Sequence, residues 1–228
     1  MITLVGVGHV FDLASSIRRV IQERRPAVVG VELDPARYAA LQSPERRAPP
    51  FSVYAVLAYI QRRIAAEYGT QAGAEMVTAA KAAAEVGAGL AFLDLDSRMV
   101  IARLMRAMTF REKARFAVSI LGGLFVSKKQ VDAGLQKFEQ NQGAFFDELA
   151  REFPTVKHVL IDERNEHMAK ALRSLEAEHG SVVAVVGEGH IEGLRSLLAD
   201  RSPELVRLRD LREPPTAGNA SVAFSFRS

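Results

Sequence analysis

Two copies of a Gly-x-x-His pattern are the strongest chemical signal in this sequence of 228 residues. GVGH spans 6–9 and GEGH spans 187–190, and each follows a short apolar run, ITLV and SVVAVV respectively. Imidazole is a common metal ligand and a common general base near neutral pH. Two strand–Gly-x-x-His–helix units predict a parallel sheet with His9 and His190 at its carboxyl edge, where open α/β sheets bind ligands. Glycine at these turns is expected to allow positive φ and close approach of the backbone.

Glu32 ends the apolar run AVVGVEL at 27–33, where a charged side chain is costly to bury without a partner. In a β-α-β unit the neighbouring strand would end at His9, so carboxylate and imidazole would form a metal site or an acid/base pair. The alternative is a strand-end residue already in solvent, the commonest setting for a carboxylate. Asp34 follows as a helix cap. Arg37, one turn into that helix, can reach Glu32 or an anionic group of a ligand.

A second charged group falls on the long helix predicted from Pro154 to about Glu178. Glu163 and Arg164 lie inside its apolar stripe, which comprises Val156, Val159, Leu160, Met168, Ala171, Leu172 and Leu175. Two charges on a buried face need each other or a ligand, because unpaired buried charge is expensive. His167, beside them, is interpreted as a boundary residue.

Three further carboxylates can be explained by ordinary local structure. Asp94 and Asp96 alternate with leucines at the end of the third strand. They predict either a polar network at the same sheet edge or an ordinary strand exit in which Asp96 caps the next helix. Glu75 opens an alanine-rich helix, where the helix dipole alone favours a carboxylate.

The elements that must position these residues predict an α/β fold with a mostly parallel sheet core, paired strand–Gly-x-x-His–helix units and a helical insertion. Strands are expected at 2–8, 27–33, 89–96 and 181–187, with a short possible strand at 205–209. We expect one domain over 1–212, with helical insertions at about 43–88 and 98–152. The segment 213–228, rich in Pro, Gly and Ser, is expected to be a loose tail.

Composition excludes several classes of protein. Apolar residues make up 48% of the chain, enough for a real core. There is no cysteine, which excludes disulfides, thiolate metal sites and cysteine nucleophiles and fits a reducing compartment. A net charge of +3, with arginines mixed among glutamates, argues against a nucleic-acid partner. We expect no signal peptide and no transmembrane helix, and hence a cytoplasmic protein or the soluble portion of a membrane-associated one.

Taken in order, these residues resemble the TraB/PrgY family, the pheromone-shutdown relatives. The resemblance covers about 2–195 and is carried by GVGH, VVGVELDPARYAAL, GAEM, DLD, DERNEHM and VVAVVGEGHIEGL. The wider superfamily includes the Tiki proteases, the ChaN-like haem-binding proteins and the erythromycin esterases. Tiki relatives act as proteases that depend on Mn or Co, and the esterase relatives use a His and a Glu to activate water. The resemblance implies one site built from His9, Glu32, Arg37, Glu75, Glu163, Arg164 and His190.

Three positions depart from the family pattern. The family commonly has Thr where this chain has Val7, Arg where it has Leu95, and Thr near Val100. These changes leave the His and Glu set intact and bear on substrate contacts near the third strand. Many members also carry C-terminal membrane segments, which this sequence lacks.

The resulting hypothesis is a metal-dependent hydrolase, and in particular a peptidase. His9, His190 and Glu32 would hold a divalent ion (Mn, Co, Zn or Fe) with an open position for water. Glu75 or Glu163 would accept the proton of that water, and Arg164 or Arg37 would bind a substrate carboxylate or the oxyanion. The alternatives are a metal-free hydrolase with a His/Glu pair and a non-catalytic protein that binds a peptide or small ligand. The apolar segment 120–126 could also serve to form a homo-oligomer or to contact a membrane, although a buried helix is the favoured interpretation.

Overall fold

The computed structural model describes residues 1–8, 12–42, 73–123 and 141–212. His9, residues 43–72 of the first predicted insertion and the tail from 213 lie outside the described residues. The predicted α/β class is confirmed, because five parallel strands form a single sheet in the order β3-β2-β4-β1-β5. The strands are β1 Ile2–Val7, β2 Val28–Val31, β3 Gly89–Phe92, β4 Val182–Gly187 and β5 Glu204–Val206.

The strand order corrects one expectation about neighbours. β1 and β2 share the sheet but do not pair, because β4 lies between them with Val7 opposite Gly187 and Val31 opposite Val185. The physical reason is the sequence of β4, whose residues Val182–Val186 are apolar on both faces and fully buried. Such a strand belongs at the centre of a sheet covered on both sides. Glu32 therefore has the second Gly-x-x-His unit as its neighbour, and not the first.

Helices cover both faces of the sheet. One face packs α1 Ala14–Arg24, α3 Ala74–Val86 and α10 Leu208–Arg212 against the side chains of Val5, Val29, Val31, Val183 and Val185. The other face packs α8 Glu163–His179 and α9 Glu188–Leu197 against Leu4, Ala184 and Val186. The short helix α2 Pro35–Gln42 follows β2.

The remaining helices form a separate apolar cluster beside the sheet. They are α4 Ser97–Ala107, α5 Phe110–Gly123, α6 Gln142–Glu152 and α7 Pro154–Lys157, and a π-helical turn, His158–Asp162, joins α7 to α8. The cluster contains Val100, Leu104, Met108, Val156 and Val159. Asp96 caps α4 by accepting from the backbone N–H of Arg98 at 2.8 Å, as one of its two interpretations predicted. The limits of the predicted insertions stay a prediction.

Within the four described ranges, none of the helices combines the length and the apolar character that a transmembrane span requires.

Candidate active site at the carboxyl edge of the sheet

Charged and polar side chains from four elements meet beyond the carboxyl ends of β2, β3 and β4. Glu32 comes directly after β2, Asp94 follows β3, and His190 lies in the first turn of α9, which follows β4. Arg164 and Asn165 reach the same place from the first turn of α8. The five side chains are largely buried, so their charges interact through a medium of low polarity.

Glu32 is the centre of this cluster. Its Oε2 accepts a hydrogen bond of 2.6 Å from the backbone N–H of Gly187, and its Oε1 pairs with Arg164 Nη2 and lies 3.3 Å from His190 Nε2. Burial alone would raise the pKa of Glu32. The charges of His190 and Arg164, with the hydrogen bonds from His190 and Gly187, outweigh burial and hold that pKa well below its ordinary value.

Arg164 ties Glu32 to the third strand. Its Nε and Nη2 donate to Asp94 Oδ1 and Oδ2, both at 2.8 Å, which is the bidentate geometry of a strong arginine–carboxylate pair. Nη1 donates to the carbonyl of Leu160 in the π-helical turn at 3.1 Å. Burial opposes the charge of Arg164, but the two carboxylates outweigh it and raise its pKa above the ordinary value. The sequence predicted that Arg164, inside the apolar stripe of the helix, needs a partner, and its partners are Glu32 and Asp94.

Asn165 orients the imidazole of His190. Its Oδ1 lies 2.7 Å from His190 Nδ1, and both side chains are buried. Gly193 leaves room for the amide, because a Cβ at that position would overlap Asn165 Nδ2. Sequence reasoning missed Asn165, although a signal was present. It precedes Met168 by three positions and Leu172 by seven, the spacing of the buried face.

The first glycine of each Gly-x-x-His pattern makes room for a carboxylate. A Cβ on Gly6 would overlap Glu188 Oε2, and a Cβ on Gly187 would lie 3.2 Å from Glu32 Oε2. The expected close approach is therefore present at both glycines. Positive φ is not needed, since Gly187 has φ −58° and Gly6 lies within β1.

Glu188 forms a second buried carboxylate site on the β1 and β5 side of the sheet. Its Oε1 accepts from Arg207 Nε at 2.6 Å, and its Oε2 accepts from the backbone N–H of Leu208 at 2.9 Å. Arg207 also pairs with Glu192. Sequence reasoning passed over Glu188 as a variable position inside GEGH.

Arg37 lies at the rim of the Glu32 cluster. Asp34 is buried and caps α2, accepting from the backbone N–H of Arg37 at 2.9 Å, as predicted. The guanidinium Nη1 is 3.4 Å from Asp94 Oδ2, and about a third of the side chain (33%) is exposed. Arg37 therefore faces both Asp94 and solvent.

The two remaining predicted carboxylates, Glu163 and Glu75, lie on helices that cover opposite faces of the sheet. Glu163 turns toward α4, where it forms an ion pair of 2.7 Å with Arg103 and lies 3.2 Å from His158 Nε2. The hydrogen bonds of Arg103 and the charges of Arg103 and His158 lower the pKa of Glu163 despite some burial. Glu75 is buried in the first turn of α3, the helix packed on the opposite face of the sheet.

Of the proposed metal ligands, Glu32 and His190 come together and His9 lies outside the described residues. Within 1–8, 12–42, 73–123 and 141–212, no three His, Asp or Glu side chains form a group that could hold a metal ion. Glu32 and His190 are thus two of the three donors that the sequence predicted.

Comparison with known proteins gives one family. A model described as the TraB/PrgY/gumN family matches residues 1–201. A relative from Methanocaldococcus jannaschii, described as the uncharacterized protein MJ1365, is 32% identical over 206 residues, which are 85% of this chain and 52% of that protein. The chain therefore spans about half the length of this curated relative. The predicted resemblance is confirmed, and the chain belongs to the TraB/PrgY/gumN family.

Proposed function

We propose that this chain is a hydrolase that depends on a divalent metal ion and acts on peptides, with Glu32 and His190 among the metal ligands. The observation that carries the proposal is the hydrogen-bonded series Asn165–His190–Glu32. The amide oxygen of Asn165 accepts from Nδ1 of His190 at 2.7 Å, which leaves Nε2 facing Glu32 Oε1, 3.3 Å away. A protonated ring donates Nε2–H to Glu32, whereas a neutral ring turns the lone pair of Nε2 toward it. Two acceptors that face each other need a proton or a metal ion beside them.

The donor set fits a divalent ion. An imidazole nitrogen and a carboxylate oxygen suit Mn, Co, Zn or Fe, and metal-bound histidines usually donate their other ring N–H to an oxygen, as His190 does to Asn165. Arg164 and Arg37 repel a cation, and the two negative charges of Glu32 and Asp94 balance their two positive charges. His9, three residues beyond Gly6, is the third ligand that we propose.

The remaining residues of the site have separate roles in this proposal. A divalent ion held by these residues would lower the pKa of a water molecule and polarise the scissile carbonyl. Arg164 fixes the orientation of Glu32 through its bidentate bond to Asp94, and Arg37 meets the substrate at the rim. Glu75 is the proton acceptor that we propose: α3 leads into β3 and runs antiparallel to it, so the first turn of α3, with Glu75, begins at the same carboxyl edge of the sheet. Glu163 is the weaker candidate, because Arg103 engages it and lowers its pKa. Hydrolysis adds hydroxyl to the acyl carbon and a proton to the leaving amine as the C–N bond breaks. Peptides as substrates come from the resemblance to the pheromone-shutdown and Tiki relatives.

A metal-free hydrolase is the second candidate. It is favoured by the fact that Glu32 already has an N–H donor, a guanidinium and an imidazole around it, so that its charge is balanced by the chain itself. In that case a protonated His190 would pair with Glu32, and His9 would be the general base. A protein of this family that only binds a peptide or small ligand is the third.

Elemental analysis by mass spectrometry separates the first two candidates. The purified chain is analysed after incubation with Mn, Co, Zn or Fe and desalting, beside Glu32→Gln, Asn165→Ala and a His9→Ala/His190→Ala double variant. His158→Ala is the matched control, since this histidine is exposed and is not one of the proposed ligands.

We expect one ion per chain in the wild type and in the control, loss in the double variant and in Glu32→Gln, and weaker retention in Asn165→Ala. A pool of peptides is then assayed for new amino termini before and after chelation. Metal-free protein that cleaves peptides at the full rate after chelation would contradict the metal-dependent proposal and support the second candidate. Saturable peptide binding without new amino termini would support the third.

A further inference from the structure

The charged cluster contains two arginines that differ in how many partners they have. Arg164 directs Nε, Nη1 and Nη2 at acceptors of the chain, namely Asp94, Leu160 and Glu32. Among the residues that the structure describes, the side chain of Arg37 makes one bond, from Nη1 to Asp94 Oδ2 at 3.4 Å. That oxygen already accepts from Arg164 at 2.8 Å. Arg164 is thus occupied, and Arg37 retains donors for another acceptor.

Exposure separates the two arginines in the same way. The exposed fractions of the Asp94, His190, Glu32 and Arg164 side chains are 3%, 6%, 12% and 14%, and that of Arg37 is 33%. A molecule that approaches this cluster from solvent therefore meets the guanidinium of Arg37 first. The exposed group is thus a cation, and the carboxylates Asp94 and Glu32 lie behind it.

The backbone beneath Arg37 is held in place. Asp34 is buried, accepts from the N–H of Arg37 at 2.9 Å, and accepts from the N–H of Ser97 at 3.3 Å. One carboxylate thus joins the first turn of α2 to the first residue of α4. A guanidinium on a fixed backbone loses less entropy when it binds, and its planar fork matches a carboxylate.

We infer that Arg37 binds a carboxylate of the substrate, so that the site selects peptides with a negative charge close to the bond that is cut. This inference rests on the proposed function, because it places a substrate beside Glu32 and His190. The carboxylate has two possible sources, the C-terminus of a peptide and an acidic side chain. Both offer the same pair of oxygens to the guanidinium.

Fluorescence anisotropy with labelled tetrapeptide pools tests the inference without requiring turnover. One pool has a free C-terminal carboxylate and no acidic side chain, the second is the same pool as amides, and the third is an amide pool with one Glu per peptide. Each is titrated with the full chain and with Arg37→Gln. Arg98→Gln is the matched control, because Arg98 follows the same sheet edge on α4 and is almost fully exposed. Urea unfolding of each variant verifies that it is folded.

We expect the free-acid pool or the Glu pool to bind roughly 10- to 100-fold more tightly than the plain amides, as a charge-assisted bond predicts. Arg37→Gln should remove the preference, and Arg98→Gln should keep it. The pool that is preferred identifies the source of the carboxylate. Equal binding by all three pools, no binding of either acidic pool up to millimolar concentration, or a preference that survives in Arg37→Gln would overturn the inference.

Mass spectrometry of the same samples separates this result from the proposed function. Cleaved peptides support hydrolysis, whatever the pools show about Arg37. A clear preference for acidic pools with every peptide left intact would uphold the role of Arg37 in binding and contradict the hydrolase.

Discussion

Two buried carboxylates at the same sheet edge, Glu32 and Glu188, share three kinds of contact but differ in their remaining neighbours. Each fills the space beside a glycine of a neighbouring strand, accepts a backbone N–H and pairs with an arginine. Glu188 joins α9 to the start of α10 through Arg207 and Leu208. Glu32 lies instead against His190, whose other nitrogen is held by Asn165.

The difference identifies which of the two sites is suited to chemistry. The combination of glycine, carboxylate and arginine has a structural explanation. The glycine lets two strand ends approach each other, and the arginine keeps the buried carboxylate paired. The imidazole beside Glu32 adds a titratable nitrogen that such packing does not require. We therefore assign a structural role to the Glu188 site and the candidate chemistry to the Glu32 site, and the following variants test that division.

Removing the arginine of each site should have the largest effect. Arg164→Met removes the cation that the buried carboxylates Glu32 and Asp94 share and leaves Asp94 only the longer contact with Arg37, so we expect a loss of about 4 kcal/mol in the free energy of unfolding. Arg207→Met should cost about 2 kcal/mol, because Arg207 is more exposed and Glu188 keeps the N–H of Leu208. Urea unfolding followed by circular dichroism measures both. Equal losses would mean that the two sites are not distinguished by burial of charge.

Adding a methyl group to each glycine should have the next largest effect. Gly6→Ala forces Glu188 out of its place, and we expect a loss of about 3 kcal/mol, at the upper end of overpacking costs. Gly187→Ala meets Glu32 Oε2 at 3.2 Å, which a small shift relieves, so about 1 kcal/mol is expected. Urea midpoints of the two variants give the comparison. A double variant, Gly6→Ala with Glu188→Ala, should regain part of the loss if the clash is its cause.

Acid should weaken the Glu32 site in a defined direction. The folded state holds the pKa of Glu32 well below the value that the unfolded chain has, so the unfolded state takes up a proton first as pH falls. The stabilisation is complete above about pH 5, shrinks below the unfolded pKa of about 4.3, and is gone once pH falls through the folded pKa. The slope reaches at most about 1.4 kcal/mol per pH unit for one proton.

Glu32→Gln isolates this contribution. Unfolding in urea between pH 3 and pH 6, in EDTA so that only the chain contributes, should give a shallower acid decline in the variant than in the wild type. Identical slopes would show that other carboxylates account for the acid sensitivity.

The sequence predicted the elements of this site better than their arrangement. Apolar runs at 27–33 and 181–187 indicated buried parallel strands, and the charge of Glu32 and Arg164 in apolar surroundings marked both as residues that need partners. The order of the strands could not be predicted from these runs, since each run only marks a buried strand and does not say which strands pair with it. β4 therefore separated Glu32 from the strand that precedes His9. Asn165 was overlooked because it lies between the charged residues Arg164 and Glu166, although its spacing from Met168 and Leu172 matches the buried face of the helix. Glu188 was overlooked because attention went to the Gly and His positions of GEGH.

Glu163 provides the smallest expected effect and the sharpest test of what belongs to the site. It was predicted as a proton acceptor from its place beside Arg164, yet its carboxylate faces Arg103 on α4. Arg103 is exposed, and pairs of this kind contribute little to stability. We expect no measurable change in the urea midpoint for Glu163→Gln or for Arg103→Gln.

The rate of peptide cleavage is the decisive measurement for Glu163. If the chain is the hydrolase that we propose, Glu163→Gln should cleave peptides at close to the wild-type rate, because a carboxylate held in its charged form by Arg103 is a weak base. Glu75→Gln should then lose at least about 100-fold in kcat. A loss of that size in Glu163→Gln, with an unchanged urea midpoint and normal activity in Arg103→Gln, would return Glu163 to the mechanism. It would also mean that the reacting water lies on the α4 side of Arg164, and that the catalytic centre extends beyond the cluster around Glu32.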